Sequence, residues 1–218
     1  HIVSKTISEY DMLCELREKT DYELEASGFN GEEIEKIKAP LNARETYGNV
    51  TYTISYSKMY QSGGKTYLNT KMTWDWSSEP SVLSTDIVAM TTSEAFTKDS
   101  AAVTINYYLY GNKNSTKTSE TGTVKTENSG RGVFARITMG KEWDTINKKY
   151  KKVALSGTMT TNWSISGNYS QAGISSNYGH SVITATPSVS FGAGASISFT
   201  PGLSCRYGDE AYTKAYLT

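Results

Sequence analysis

From Asn49 onward the chain alternates apolar and polar residues with a period of two, the spacing of a strand with one buried face. Val50, Tyr52, Ile54 and Tyr56 alternate with Thr51, Thr53, Ser55 and Ser57. Ser62-Gly63-Gly64 then turns the chain into residues 65–76, so a hairpin is expected. There Leu68, Thr70, Met72, Trp74 and Trp76 share one face, and Tyr67, Asn69, Lys71, Thr73 and Asp75 share the other. Two indoles on one face of one strand bury a very large apolar area, which makes this strand the expected seed of the core. Ser77-Ser78-Glu79-Pro80 breaks it, because proline cannot donate to a ladder. Asp86 opens a further strand through Thr92.

The pattern continues. Val103, Ile105, Tyr107 and Leu109 alternate with polar residues, and a weak strand is expected around 121–127 before another at 133–139. Lys148, Lys149, Lys151 and Lys152 cluster around Tyr150 at the foot of the next strand. In that strand Val153, Leu155, Met159, Trp163 and Ile165 face one way. Residues 189–199 alternate around a Gly-Ala-Gly-Ala centre that suggests a bulge or a close backbone approach. About eight to ten strands with turns at this spacing predict a mainly β fold, an antiparallel β-sandwich with a jelly roll among its variants. Composition agrees: 16 Tyr against 5 Phe and 4 Trp, with abundant Ser and Thr, suit pleated sheets with one wet face.

The first forty-five residues differ. Ser8 with Asp11, Thr20 with Glu23 and Asn30 with Glu33 have capping-box spacing and predict short helices near 9–19, 21–27 and 31–38. Gly28 stands where a left-handed C-cap belongs, and Ala39-Pro40 ends the last helix. Tyr10, Leu13, Cys14, Leu24, Phe29, Ile34 and Ile37 form an apolar stripe too small to hold a domain alone. Through Glu45 there are eleven acidic and six basic residues, against eleven and sixteen beyond it, or about −5 against +5. The expected organisation is an N-terminal helical arm over 1–45, docked on a sandwich over 46–218.

Candidate chemistry is sparse. Formal net charge is zero, so the footprint of a nucleic-acid binder is missing. No stretch has the length of a membrane helix, and His1-Ile2-Val3-Ser4 carries no leader pattern, though a trimmed chain reads the same. His180 is the one internal histidine, and nothing near it in sequence supports a nucleophilic triad; ordinary hydrogen bonding is the expectation. Neither zinc-type nor calcium-loop spacing occurs, and no catalytic residue, metal ligand or cofactor is predicted. Asp75, Glu79 and Asp86 are close in sequence, but Asp75 lies on the face opposite the tryptophans, which argues for salt bridges and turn caps over a glycosidase pair. Cys14 and Cys205 are the two cysteines, and a docked arm would allow a disulfide closing nearly the whole chain. Tyr107, Tyr108 and Tyr110, with Lys148, Lys149, Lys151 and Lys152, make up the candidate ligand surface. Residues 189–199 match the roughly ten residues of a tilted membrane span, which keeps a pore-forming reading open.

Trp74-Asp75-Trp76, Pro80 and Thr85-Asp86-Ile87 resemble a group of secreted proteins of Gram-positive bacteria with no established activity. Residues 21–38, with Glu23-Leu24, Gly28-Phe29 and Glu33-Ile34, are similar to a segment of such proteins, as is Tyr178-Gly179-His180 before a Ser-rich strand. The resemblance covers about a quarter of the chain. It implies export and a β-sandwich and supplies no catalytic residue. The expected function is a secreted or surface-exposed, non-enzymatic interaction or structural module. A membrane-active protein and a carbohydrate-binding domain stand as alternatives. Expected partners are a cell-surface glycan or another protein, with membrane contact less favoured and nucleic acid not expected.

Overall fold

The structure is a computed structural model and describes residues 1–41, 47–127, 130–181, 188–200 and 210–218. In chain order it forms β1 (Ile2–Ser8), α1 (Glu9–Glu18), α2 (Asp21–Ala26), α3 (Gly31–Lys38), β2 (Asn49–Ser62), β3 (Lys65–Trp76) and β4 (Thr85–Thr92). There follow β5 (Thr97–Leu109), β6 (Thr118–Thr121), β7 (Val124–Thr126), β8 (Gly132–Thr138), β9 (Gly140–Asp144) and β10 (Lys149–Ser166). The chain ends with β11 (Gln171–Gly179), β12 (Ser188–Gly192), β13 (Ser196–Thr200) and β14 (Ala211–Tyr216).

One sheet has the order β1-β2-β3-β10-β5-β6, with β9 also pairing β10; the other has the order β14-β11-β4-β8-β7. Every pairing is antiparallel. The sheets face each other across one core, so the fold is an antiparallel β-sandwich with little helix.

The β2–β3 hairpin is the expected one. Ser62 pairs with Lys65 across Gly63 and Gly64, both at positive φ, the backbone of a two-residue type I′ turn. A register shift between Tyr56 and Lys58 changes which residues of β2 face in: Val50, Tyr52 and Ile54 before it, Met59 after it. Leu68, Met72, Trp74 and Trp76 are all buried, so the tryptophans are core residues as their face predicts. Gly157, on the neighbouring β10, makes room for one of them. A Cβ there would lie 2.1 Å from Trp74 Cζ2 and 2.6 Å from the Thr104 carbonyl oxygen.

β4 does not alternate, because it is covered on both sides. Val88 and Met90 face the sandwich core. Ile87 and Ala89 pack against Ile197 and Phe199 of a β12–β13 hairpin laid on the outside of the second sheet. That hairpin corrects the reading of 189–199 as one strand. The Gly-Ala-Gly-Ala centre is its turn, with Gly194 and Ala195 at φ 72° and 68°, and Val189 pairs with Phe199. Neither five-residue strand by itself has the length of a membrane span. The weak strand expected at 121–127 contains only the last residue of β6, in the first sheet, and the whole of β7, in the second.

The helices fall where their caps place them. Thr20–Glu23 and Asn30–Glu33 form complete capping boxes, Ser8 Oγ accepts from the Asp11 amide, and Gly28 is left-handed at φ 95°. Their stripe differs in the first helix: Met12, Leu13 and Leu16 are buried, while Tyr10 is exposed and Cys14 half-buried. Leu13 and Leu16 join Leu24, Phe29, Ile34 and Ile37 in a small core of their own. Ahead of the helices, Ile2–Ser8 is an edge strand on β2, an element not anticipated from sequence. Cys205 lies outside the described residues, and so does the proposed disulfide.

Gly157→Ala is expected to cost at least about 1–3 kcal/mol, the usual penalty of forcing extra carbon into a filled core. Trp74→Ala should cost about 3–5 kcal/mol. Denaturant midpoints of the two variants beside the parent check both, and parental stability in either would place the Trp74 ring elsewhere.

Candidate functional site

A dense polar cluster is buried and joins three distant segments. Glu9 is the first residue of α1, Asp86 lies on β4, and His180 follows β11; all three are fully buried. His180 Nδ1 lies 2.9 and 3.1 Å from the two Asp86 oxygens, and Nε2 lies 3.0 Å from Glu9 Oε1. The segment after Pro80 supplies further donors to Glu9, the Ser81 amide at 2.8 Å, the Ser81 hydroxyl at 2.8 Å and the Val82 amide at 3.4 Å, and the Gly48 amide donates to it at 3.4 Å. Asp86 also accepts from Tyr178 Oη at 2.7 Å and the Ser181 amide at 3.0 Å. Trp76 Nε1 donates to Tyr178 Oη at 2.9 Å, and its ring meets the His180 ring edge-on at 4.9 Å.

The electrostatics follow from this shell. Burial alone pulls the His180 imidazolium down, but the facing carboxylates of Asp86 and Glu9 outweigh it and raise its pKa to about 9. Burial pushes the Glu9 carboxyl up, and its bonds from His180 and Ser81 overcome this and hold it below the ordinary value. Burial, then Asp86, drives the Tyr178 phenol well above its usual range. At neutral pH the site is an imidazolium clamped between two carboxylates. Each ring nitrogen is taken by a carboxylate, so His180 has no nitrogen left to activate a hydroxyl, and this is not a hydrolase triad. Sequence reasoning expected ordinary hydrogen bonds for His180 and missed Glu9 altogether, 171 residues away.

Asp75, Glu79 and Asp86 do not converge. Asp75 pairs with Lys113 at 2.6 Å, Glu79 accepts from the Gly111 amide at 2.7 Å, and Asp86 is inside.

The predicted ligand surface is partly broken up. Tyr107 is buried, its hydroxyl donating to the Thr138 carbonyl at 2.9 Å, and Tyr108 is half-buried against Ser156. Tyr110, Lys148, Lys149 and Lys151 remain outside and Lys152 is half-buried, at one end of the first sheet, where β10 runs between the end of β5 and β9. Sequence reasoning overlooked the apolar half of this end: Trp143 is 53% exposed, Ile146 88% and Leu109 51%. Trp143 pairs with Tyr150 across the β9–β10 hairpin, their rings edge-to-face at 5.0 Å. Asp144 fixes the turn by accepting from the amides of Ile146 at 2.9 Å and Asn147 at 3.1 Å, and from the Asn147 side chain. Lys141 is tied to Glu120 and Lys152 to Glu142. Lys149 lies over the Tyr110 ring at 5.5 Å, and Lys148, Lys149 and Lys151 form no ion pair among the described residues.

The buried triad makes stability depend on pH in both directions. Because the folded His180 value lies above 6.5, its contribution is fully present below pH 6.5 and is lost as pH rises through about 9. The lowered Glu9 value acts oppositely: its contribution is present above about pH 4.5 and lost as pH falls. His180→Ala, which leaves two buried carboxylates unpaired, should cost about 3–5 kcal/mol and remove the alkaline slope. Urea midpoints from pH 6 to 10 for parent and variant check this.

Comparison with known protein families finds none that the chain matches, and comparison with curated proteins likewise finds none. Among solved structures, the KRT10-binding region domain of the pneumococcal serine-rich repeat protein PsrP is similar at 16% identity, over 60% of this chain and 77% of that one, with a TM-score of 0.28. The collagen-binding domain of Erysipelothrix rhusiopathiae surface protein RspB is similar at 10% identity, over 79% and 66%, with a TM-score of 0.31. Clostridium perfringens delta-toxin is similar at 8% identity, over 79% and 85%, with a TM-score of 0.26. Two of these are binding domains of bacterial surface proteins, and at such scores none carries its function over to this chain.

Proposed function

We propose that the protein is a non-enzymatic interaction module, secreted or displayed at a bacterial surface, and that it engages its partner through the β9–β10 end of the sandwich. One observation carries this reading. Leu109, Tyr110, Trp143 and Ile146, four large apolar side chains that burial would favour by a few kcal/mol in total, are all exposed at this lysine-bearing end of the sheet. The turn that presents Ile146 is held by Asp144, so the exposure is built in by bonded geometry. Loops at one end of a sandwich, carried by rigid strands, are a common place for binding residues.

The same geometry weakens the carbohydrate alternative as read from sequence. A stacking platform of Tyr107, Tyr108 and Tyr110 needs three open rings, and Tyr107 is buried with Tyr108 half-buried.

Trp143→Ser combined with Ile146→Ser is expected to leave the melting temperature within about 2 °C of the parent, since surface changes usually stay within about 0.5 kcal/mol. It should lower binding at least about tenfold for any protein or glycan the parent captures from an array. Undiminished binding would move the site elsewhere on the sandwich. Turnover of a captured glycan or peptide by the parent would refute the non-enzymatic reading.

A further inference from the structure

We propose that the β9–β10 tip docks on an anionic lipid bilayer, inserting Ile146 and Trp143 between headgroups while the unpaired lysines meet lipid phosphates. The proposal rests on the interaction reading above and names its partner. Three features of the tip favour a membrane over a protein. The first is order along the hairpin. Ile146 sits in the turn at the apex; Asp144 and Lys149 form the first rung behind it, and Trp143 and Tyr150 the second. An aliphatic apex, with an indole and lysines within two rungs, about 7 Å, matches the depth order of acyl boundary and headgroup.

The second feature is charge. Lys148, Lys149 and Lys151 are exposed and form no ion pair among the described residues, and Lys149 and Lys151 follow one another at alternate positions of β10. Of the acidic groups beside them, Glu120 is paired with Lys141 and Glu142 with Lys152, which leaves the three lysines against the one carboxylate of Asp144, held by the turn amides. Such a surplus suits a leaflet of diffuse negative charge. The third is shape. A hairpin tip of a few side chains offers a protein partner far less than the roughly 800 Å² per side of a stable interface, and lysine is depleted in interface cores. Neither shortage matters to a fluid surface.

The test is flotation of the whole protein with vesicles of phosphatidylcholine alone and with about 30% phosphatidylglycerol, read beside tryptophan fluorescence. Trp143 is the exposed indole among four, the other three being buried, so it supplies the signal that responds. Binding should require phosphatidylglycerol, shift emission to the blue and shield the protein from acrylamide; Trp143→Phe should bind while losing the shift. Replacing Lys148, Lys149 and Lys151 by alanine should weaken binding about a hundredfold, and Ile146→Ser about tenfold or more. Absence of binding to the anionic vesicles at low salt overturns the proposal. Binding that Ile146→Ser leaves unchanged, or that soluble inorganic phosphate displaces without a spectral shift, also overturns it, because adsorption by charge alone inserts nothing. If vesicles fail while array binding depends on Trp143 and Ile146, the lipid assignment falls and the interaction reading stands. If neither depends on the tip, both fall.

Discussion

The contact on which the rest of the structure depends is the buried imidazolium of His180 between Glu9 and Asp86. It ties the start of the helical segment to the inner strand of the second sheet and to the end of β11, spanning 171 residues along the chain. Burying three ionisable groups is costly, and removing any one leaves uncompensated charge. The cost is offset by donors on every side: the Gly48, Ser81, Val82 and Ser181 amides, the Ser81 hydroxyl and the Tyr178 phenol. Tyr178 links the shell to Trp76 and so to the hydrophobic core. Polar register and apolar packing therefore specify the same arrangement, which is the condition for a single native state.

The helices need that anchor. Their shared core of Leu13, Leu16, Leu24, Phe29, Ile34 and Ile37 is small, and helices of six to ten residues are marginal alone. Bonds that the Glu9 carboxylate accepts from Ser81 and His180 fix the first helix at its N-terminus, where a carboxylate also suits the helix dipole. The β1 strand ahead of it, paired with β2, holds the same point from the other side.

The opposite logic governs the β9–β10 tip. Polar groups there are spent on holding a turn, and apolar groups are left in water. Stability resides in the triad and the tryptophan core, while the surface that departs from ordinary burial lies on the part of β10 beyond its pairing with β3, which begins at Ser156. That separation lets the tip change without unfolding the sandwich.

Local chemistry made much of the fold legible. Capping pairs at Thr20–Glu23 and Asn30–Glu33 located helices, Gly63-Gly64 located a hairpin, and the alternation ending at Trp74 and Trp76 identified the core strand, because each of these forces acts over a few residues. Other elements were hidden for equally physical reasons. In β14 the small residues Ala211 and Ala215 face in while Tyr212 and Tyr216 face out, which inverts the usual size pattern. The alternation of 189–199 runs unbroken through a turn, since a hairpin whose turn preserves parity looks like one strand. Of the candidate surface, the lysines and Tyr110 were visible as a cluster, but the exposure of Trp143 and Ile146 was not, because hydrophobicity alone predicts burial. Glu9 beside its N-cap reads as a solvated helix acid, and only the folded chain brings His180 to it. The sequence by itself determined the β-sandwich, its helices and its central strand; the tertiary structure alone decided which charges were buried together and which apolar groups were left outside, because both are set by contacts between residues far apart in the chain.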